Sequence, residues 1–177
     1  MPSWIPEALG RRVIIGLDRQ GRSAVLHDDV TQSRTVRPNG AVVAEIWRQE
    51  QVPARADDDG TRTGEMEQLA PAHGASIRMF TLPPDDMREK HVDVKDLASV
   101  FGKDNVSLAT PGPILHRTDS VYVATVVSGR AELELEAGRA HLEQGDSFVL
   151  PGSMHAWSNP YSEPALIVCA VFPLSRE

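Results

Sequence analysis

The sequence predicts an all-β chain folded as a small barrel or jelly roll, with a strand-rich N-terminal extension and one or two short helices. Three observations carry this expectation. Apolar residues recur at period two along much of the chain, turn-forming residues punctuate that pattern at short intervals, and one segment alone has convincing helical spacing.

In chain order, Arg12 to Leu17 and Ser23 to Leu26 flank Asp18-Arg19-Gln20-Gly21-Arg22, which reads as a hairpin with Gly at the tight position. Val42 to Trp47 and Ser76 to Leu82 are further strands. Between them, Pro53 to Gly64 is rich in Asp, Arg, Thr and Gly and has nothing apolar to bury, so it reads as a mobile surface loop and a solvated connector. Asp93 to Phe101 is the helix: Val94, Leu97, Ala98 and Phe101 share one face, Asp93 can cap the start and Gly102 the end. Those apolar residues read as packing.

The C-terminal part is more regular. Val121 to Val127 is a strand, and in Arg130 to Glu136 the alternation places Ala131, Leu133 and Leu135 on one face and the glutamates on the other, expected to be solvated. Ala137-Gly138 turns the chain into Arg139 to Leu142, Gln144-Gly145-Asp146 turns it into Phe148 to Leu150, and Pro151-Gly152 leads to Met154 to Ser158. Ala165 to Phe172 is continuously apolar, the pattern of a central strand. Short antiparallel strands of this kind suit a closed barrel, because closure removes unpaired edges.

Length and charge bound the function. A chain of 177 residues supports one compact domain. The formal charge of -7 and the lack of a Lys/Arg cluster argue against nucleic acid and against an anionic membrane surface. No apolar run approaches the roughly 20 residues that span a bilayer, and MPSWIPEALG lacks a signal-peptide pattern, so a cytoplasmic location is expected. The single cysteine, Cys169, sits in an apolar run and reads as a buried thiol. Trp4 and Trp47 read as packing residues, with a dimer contact as the alternative. Ser128 and Ser153 have no His and acid at a recognisable spacing, so a hydrolase triad is unsupported. Asp146 reads as a turn residue, and Arg117 with Asp119 as a candidate ion pair.

Parity places the candidate site. On a strand running unbroken from His116, residues His116, Thr118, Ser120, Tyr122, Ala124 and Val126 share a face; His155, Trp157 and Asn159 share one on a second strand. If the two strands are neighbours, two imidazoles, a phenol and an indole converge on a mostly apolar cavity.

The runs His116-Arg117-Thr118-Asp119-Ser120 with Val127-Ser128-Gly129, and Gly145-Asp146-Ser147-Phe148-Val149-Leu150-Pro151-Gly152-Ser153-Met154-His155-Ala156-Trp157-Ser158-Asn159, resemble the two motifs of the cupin superfamily. The likeness is to small single-barrel cupin-domain proteins. It implies that His116 and Gly129 match the first His and the Gly of the first motif, and that Gly145, His155 and Asn159 match the second. Thr118 stands where a second His belongs and Tyr122 where a Glu belongs, so the metal motif is degenerate. The resemblance also implies a barrel core over 111–174, with 1–110 adding strands to the barrel or exchanging them in a homodimer.

These residues define the expectations. His116, Tyr122 and His155 are the candidate acid-base or hydrogen-bonding groups. Thr118, Ala124, Val126 and Trp157 line the pocket. His116 and His155 are the candidate ligands of a divalent transition metal (Fe, Zn, Mn or Ni), with His73, His141 or an acidic residue of the N-terminal half as the candidates to complete the set, and His141 more simply a surface or structural residue. Two imidazoles fall short of the three protein ligands that an open metal site normally uses. Three readings stay open: a pocket for a small organic molecule with an incomplete or absent metal site, a metal-dependent cupin enzyme (dioxygenase, decarboxylase, isomerase, cyclase or lyase), and a non-catalytic metabolite sensor or accessory protein.

Overall fold

Period-two alternation produces thirteen strands among the described residues, which are 9–37, 39–64, 66–88, 93–108 and 113–176 of a computed structural model. Trp4 lies outside them. The strands are β1 Arg11–Leu17, β2 Ser23–Val30, β3 Arg34–Val36, β4 Val42–Gln49, β5 Ala75–Leu82, β6 Val106–Leu108, β7 Ile114–His116, β8 Ser120–Ser128, β9 Ala131–Leu135, β10 Gly138–Leu142, β11 Ser147–Pro151, β12 His155–Ser158 and β13 Ala165–Pro173. The helix α1 spans Val94–Phe101, and two 3-10 turns flank it.

β1 and β2 form a separate hairpin, closed at Gly21 with a left-handed φ of 75°. The other strands form two antiparallel sheets, one ordered β10-β9-β12-β7-β6 and one ordered β11-β8-β13-β5-β4-β3. Ala124, Val126, Ile167, Cys169 and Val171 of the larger sheet pack with Ala131, Leu133 and Leu142 of the smaller in one core. This is the all-β jelly-roll barrel that the cupin resemblance implies. β3, β4 and β5 extend the larger sheet, so the N-terminal half contributes barrel wall directly. Among the described residues no helix is long and apolar enough to cross a membrane.

β13 is central, between β8 and β5, as its unbroken apolar sequence predicts. Its inward row Ala165, Ile167, Cys169 and Val171 has at most 1% of its surface exposed. The turn from β8 to β9 depends on Gly129, whose φ is 73°; a Cβ there would lie 2.5 Å from the Pro164 carbonyl oxygen.

Several expectations are corrected. The strand does not run unbroken from His116, because Arg117 donates its amide to the Asn105 carbonyl (2.9 Å) and the Asp119 carbonyl accepts from Leu174 (3.0 Å). These bonds take 117–119 out of the ladder, and the chain crosses from the smaller sheet to the larger. Arg117 and Asp119 do not pair: Arg117 Nε donates to Asn105 Oδ1, and Asp119 pairs with Arg176. Glu132 is not solvated but 4% exposed, since His141 Nδ1 and Arg139 Nη1 each lie 2.9 Å from its carboxylate and the Tyr161 hydroxyl donates to it (3.2 Å). The 53–64 segment is tied down at its far end: the Arg48 amide donates to the Gly60 carbonyl, Gln49 Nε2 donates to the Asp58 carbonyl, and Asp59 pairs with His27. Trp47 packs beneath Gly60. The three-residue strands β3, β6 and β7 carry too few residues for a period to be read.

The core expectation is direct. Ile167→Ala should destabilise the protein by about 2–5 kcal/mol, the range for truncating a fully buried Ile, read as a lower midpoint at unchanged slope in urea denaturation. A loss under about 1 kcal/mol would mean that β13 is not the packing centre.

Candidate functional site

Pairing of β7 with β12 sets His116 directly opposite His155. Their ring centroids are 4.5 Å apart with planes tilted by 45°. Two residues further along β12, alternation returns Trp157 to the same face, where it meets Phe80 and Phe148 edge-on at 5.4 and 5.7 Å. The larger sheet contributes the opposite wall. Register across β8, β13, β5 and β4 puts Tyr122, Val171, Ser76 and Arg48 in one row, and Ala124, Cys169, Arg78 and Glu45 in the next.

Each sequence-predicted site residue can now be placed. His116, His155, Tyr122, Ala124, Val126 and Trp157 border the interior, although the two histidines and Tyr122 come from opposite sheets. Thr118 is buried, and its hydroxyl neighbours the Tyr122 phenol. Asn159 is a structural anchor: its amide nitrogen donates to the Leu82 and Glu163 carbonyls and its amide oxygen accepts from the Tyr161 N–H. His73 is exposed and His141 is engaged with Glu132, so neither joins the pair.

The two histidines and the phenol are held neutral. Burial pushes the His116 pKa down to about 3, and His155 and the Arg37 guanidinium push the same way. Burial also lowers the pKa of His155, although its bond to the Ser153 carbonyl opposes this. That bond, 2.8 Å from Nδ1, fixes the tautomer: a carbonyl can only accept, so Nδ1 carries the proton and Nε2 keeps its lone pair. Burial raises the Tyr122 pKa, so the phenol stays protonated and offers a donor. The Cys169 thiol is pushed up to about 12 by burial and stays an unreactive core residue.

Four groups at this site escape a parity argument. Phe101 of α1 lies flat on His116, with centroids 4.7 Å apart and planes 18° from parallel. The helix is started by a reciprocal cap between Asp93 and Asp96 and stopped at Gly102, so a residue read as packing covers His116. Outside this ring lies a cleft of about 320 Å³ bordered by Phe101, Asn105, Thr118 and Leu69. Arg78 and Glu45 form a buried ion pair (3.2 Å), and Arg37 hydrogen-bonds Gln68 nearby. The signal for the pair was legible, an Arg inside ASIRMFTL and a Glu inside VVAEIWRQ, each a charge within an otherwise buried strand.

The donor set fits a metal poorly. Among the described residues no three His, Cys, Asp or Glu side chains gather. A threonine and a protonated phenol occupy the positions where further ligands would be needed, and a phenol whose pKa is raised resists becoming a ligand.

No protein-family model matches the chain. Oryzines biosynthesis cluster protein J of Aspergillus oryzae (strain ATCC 42149 / RIB 40) is 43% identical over 49 residues, 27% of each protein, so the match spans about a quarter of that relative. Among solved structures, a protein assigned to ethanolamine utilization (EutQ) from Salmonella typhimurium LT2 is 10% identical with a TM-score of 0.48, covering 92% of this chain and 95% of that one. The cupin domain of Schizosaccharomyces pombe Cnp3 is 11% identical, TM-score 0.47, covering 93% and 84%. A cupin 2 conserved barrel domain protein from Salinispora arenicola CNS-205 is 14% identical, TM-score 0.41, covering 78% and 81%. None of these likenesses assigns a role to a residue.

The neutral histidines predict a pH dependence. The unfolded chain protonates His116 near the ordinary histidine value, while the folded chain resists until about pH 3. The unfolded state then binds more protons between those values, so stability falls as pH drops below about 6.5, by up to about 1.4 kcal/mol per pH unit from this residue. Urea denaturation at stepped pH from about 7 to 4 should show a shallower decline for His116→Gln than for wild type. Parallel declines would mean that folded His116 titrates normally.

Proposed function

We propose that the barrel interior binds a small organic molecule through neutral hydrogen-bonding groups, with His116, His155 and Tyr122 as the polar contacts and Trp157 as an aromatic wall. The observation that carries this reading is the cross-strand histidine pair at 4.5 Å, held neutral by burial, with a protonated phenol on the other sheet. A mostly apolar cavity with a few fixed polar groups is the usual construction of a small-molecule site. His155 Nε2 supplies an acceptor or base and Tyr122 a donor or acid, so a bound molecule with an exchangeable proton would meet both partners of an acid-base step.

The metal-dependent reading rests on the same two histidines holding Fe, Zn, Mn or Ni, and elemental analysis separates the two. Protein purified without tag or chelator is expected to carry well under one metal per chain, and Thr118→His with Tyr122→Glu is expected to gain one. Near-stoichiometric wild-type metal, lost in both His116→Ala and His155→Ala, would overturn the neutral-pocket reading in favour of a metal enzyme. A sensor or accessory role would show as ligand binding without turnover.

We also place the protein in the cytoplasm, in keeping with a lone buried thiol, and infer a homodimer. Support for the dimer comes from the β1–β2 hairpin: Val13, Ile15 and Leu17 form one row, with Ile15 70% and Leu17 57% exposed, and an isolated two-stranded sheet is marginal alone. Sedimentation should show a dimer for wild type and a monomer for Ile15→Glu/Leu17→Glu. A wild-type monomer at micromolar concentration would sink the dimer.

A further inference from the structure

The charged groups of the barrel wall are unequally satisfied. Arg78 is fully engaged: Nε and Nη2 reach Glu45 Oε1 at 3.3 and 3.2 Å, Nη1 donates to the Gln68 carbonyl at 2.7 Å, and Nη2 also reaches the Glu67 and Leu69 carbonyls. Arg48 is likewise held by Glu50 and Glu67, at 2.7 and 2.6 Å. Arg37 differs. Its recorded side-chain bond runs to the neutral Gln68 Oε1, and among the described residues it has no carboxylate at ion-pair distance. Gln68 holds it beside Arg78, since the side-chain oxygen of Gln68 accepts from Arg37 while its main-chain oxygen accepts from Arg78. Arg37 is half-buried, and its charge acts on both Tyr122 and His116.

A second observation concerns the surroundings of Tyr122. The Ser76 and Ser120 hydroxyls are buried without a hydrogen-bond partner among the described residues. Ser76 shares the cross-strand row of Tyr122, and Ser120 precedes Tyr122 by two residues on the same face. Buried polar groups are normally paired, so hydroxyls left over in the row and on the face of Tyr122, whose phenol also feels the Arg37 charge, describe a place where a polar group of a ligand belongs.

We propose that the molecule bound in the barrel is a small carboxylate, its anionic end held by Arg37 with the Tyr122 hydroxyl and the buried serines, and its body lying toward Trp157 and the histidine pair. This deepens the barrel-binding reading and rests on it. Charge chooses the class: the histidines are neutral and Arg78 is matched by Glu45, which leaves one positive charge for one negative charge. A dianionic phosphate would leave a charge unmatched, and among the described residues no multi-lysine or helix-end cradle accompanies Arg37. A planar guanidinium also suits a planar carboxylate.

The test is calorimetric titration of the whole chain at neutral pH with benzoate and hexanoate, with the isosteric amides benzamide and hexanamide, and with inorganic phosphate. The acids are expected to bind at least about tenfold tighter than their amides, the scale of one charge-assisted hydrogen-bonded contact. Arg37→Gln should erase that preference, whereas Arg37→Lys should keep part of it. Unliganded Arg37→Gln should melt at or above the wild-type temperature, because it loses a charge that the fold does not match; a clear fall would make Arg37 a structural strut and overturn the assignment. If Arg37→Gln fails to fold, the acid preference must still persist in Arg37→Lys. Amides binding as tightly as acids would refute the carboxylate while leaving the barrel-binding reading standing, and phosphate binding tighter than either acid would refute the class. No binding by any probe would refute both.

Discussion

The double pairing of β13 is the constraint on which the rest depends. It hydrogen-bonds to β8 on one side and β5 on the other, so its register fixes which residues of three strands share a row. Its inward residues are wholly buried, and each such aliphatic side chain contributes roughly 1.5–3 kcal/mol of hydrophobic stabilisation. A slip of one residue would turn this row outward, so the burial and the register enforce each other. Because Val171 pairs with Tyr122 and Cys169 with Arg78, the same register decides that a phenol and a buried guanidinium face the interior.

The polar groups of that interior fall into two kinds. The Arg78–Glu45 pair is close to saturated by carbonyls, which is how a buried ion pair offsets the loss of water; such a pair adds little net stability, but removing one partner would strand the other. The histidines take the other course and stay uncharged. Burial disfavours the imidazolium, the Ser153 carbonyl fixes one tautomer, and Phe101 stacks over the neighbouring ring. Arg37 and the buried serines belong to neither kind: the guanidinium bonds the neutral Gln68, and the Ser76 and Ser120 hydroxyls have no hydrogen-bond partner among the described residues.

The outer surface shows that alternation does not equal exposure. Glu132 lies on the face that alternation assigns to solvent, yet β10 lays Arg139 and His141 across it and Tyr161 closes over the carboxylate, its own ring covered by Arg130 at 4.0 Å. Parity along a strand says which side a residue takes. What covers that side depends on strands and loops distant in sequence.

By itself the sequence determined the strands with a clear period, the central place of Ala165 to Phe172 and the capped helix from Asp93, and it put His116 and His155 forward as candidate site residues. These are local properties: alternation, turn residues and caps act within a few residues and leave a readable pattern. Only the tertiary structure decided that the strand breaks between His116 and Ser120, so that Tyr122 and the histidines belong to different sheets. It alone brought Phe101 over His116 and set Arg37, Gln68 and Arg78 side by side. Each of these depends on contacts between residues far apart in the chain, where closure of the barrel selects the neighbours and no local period records the choice.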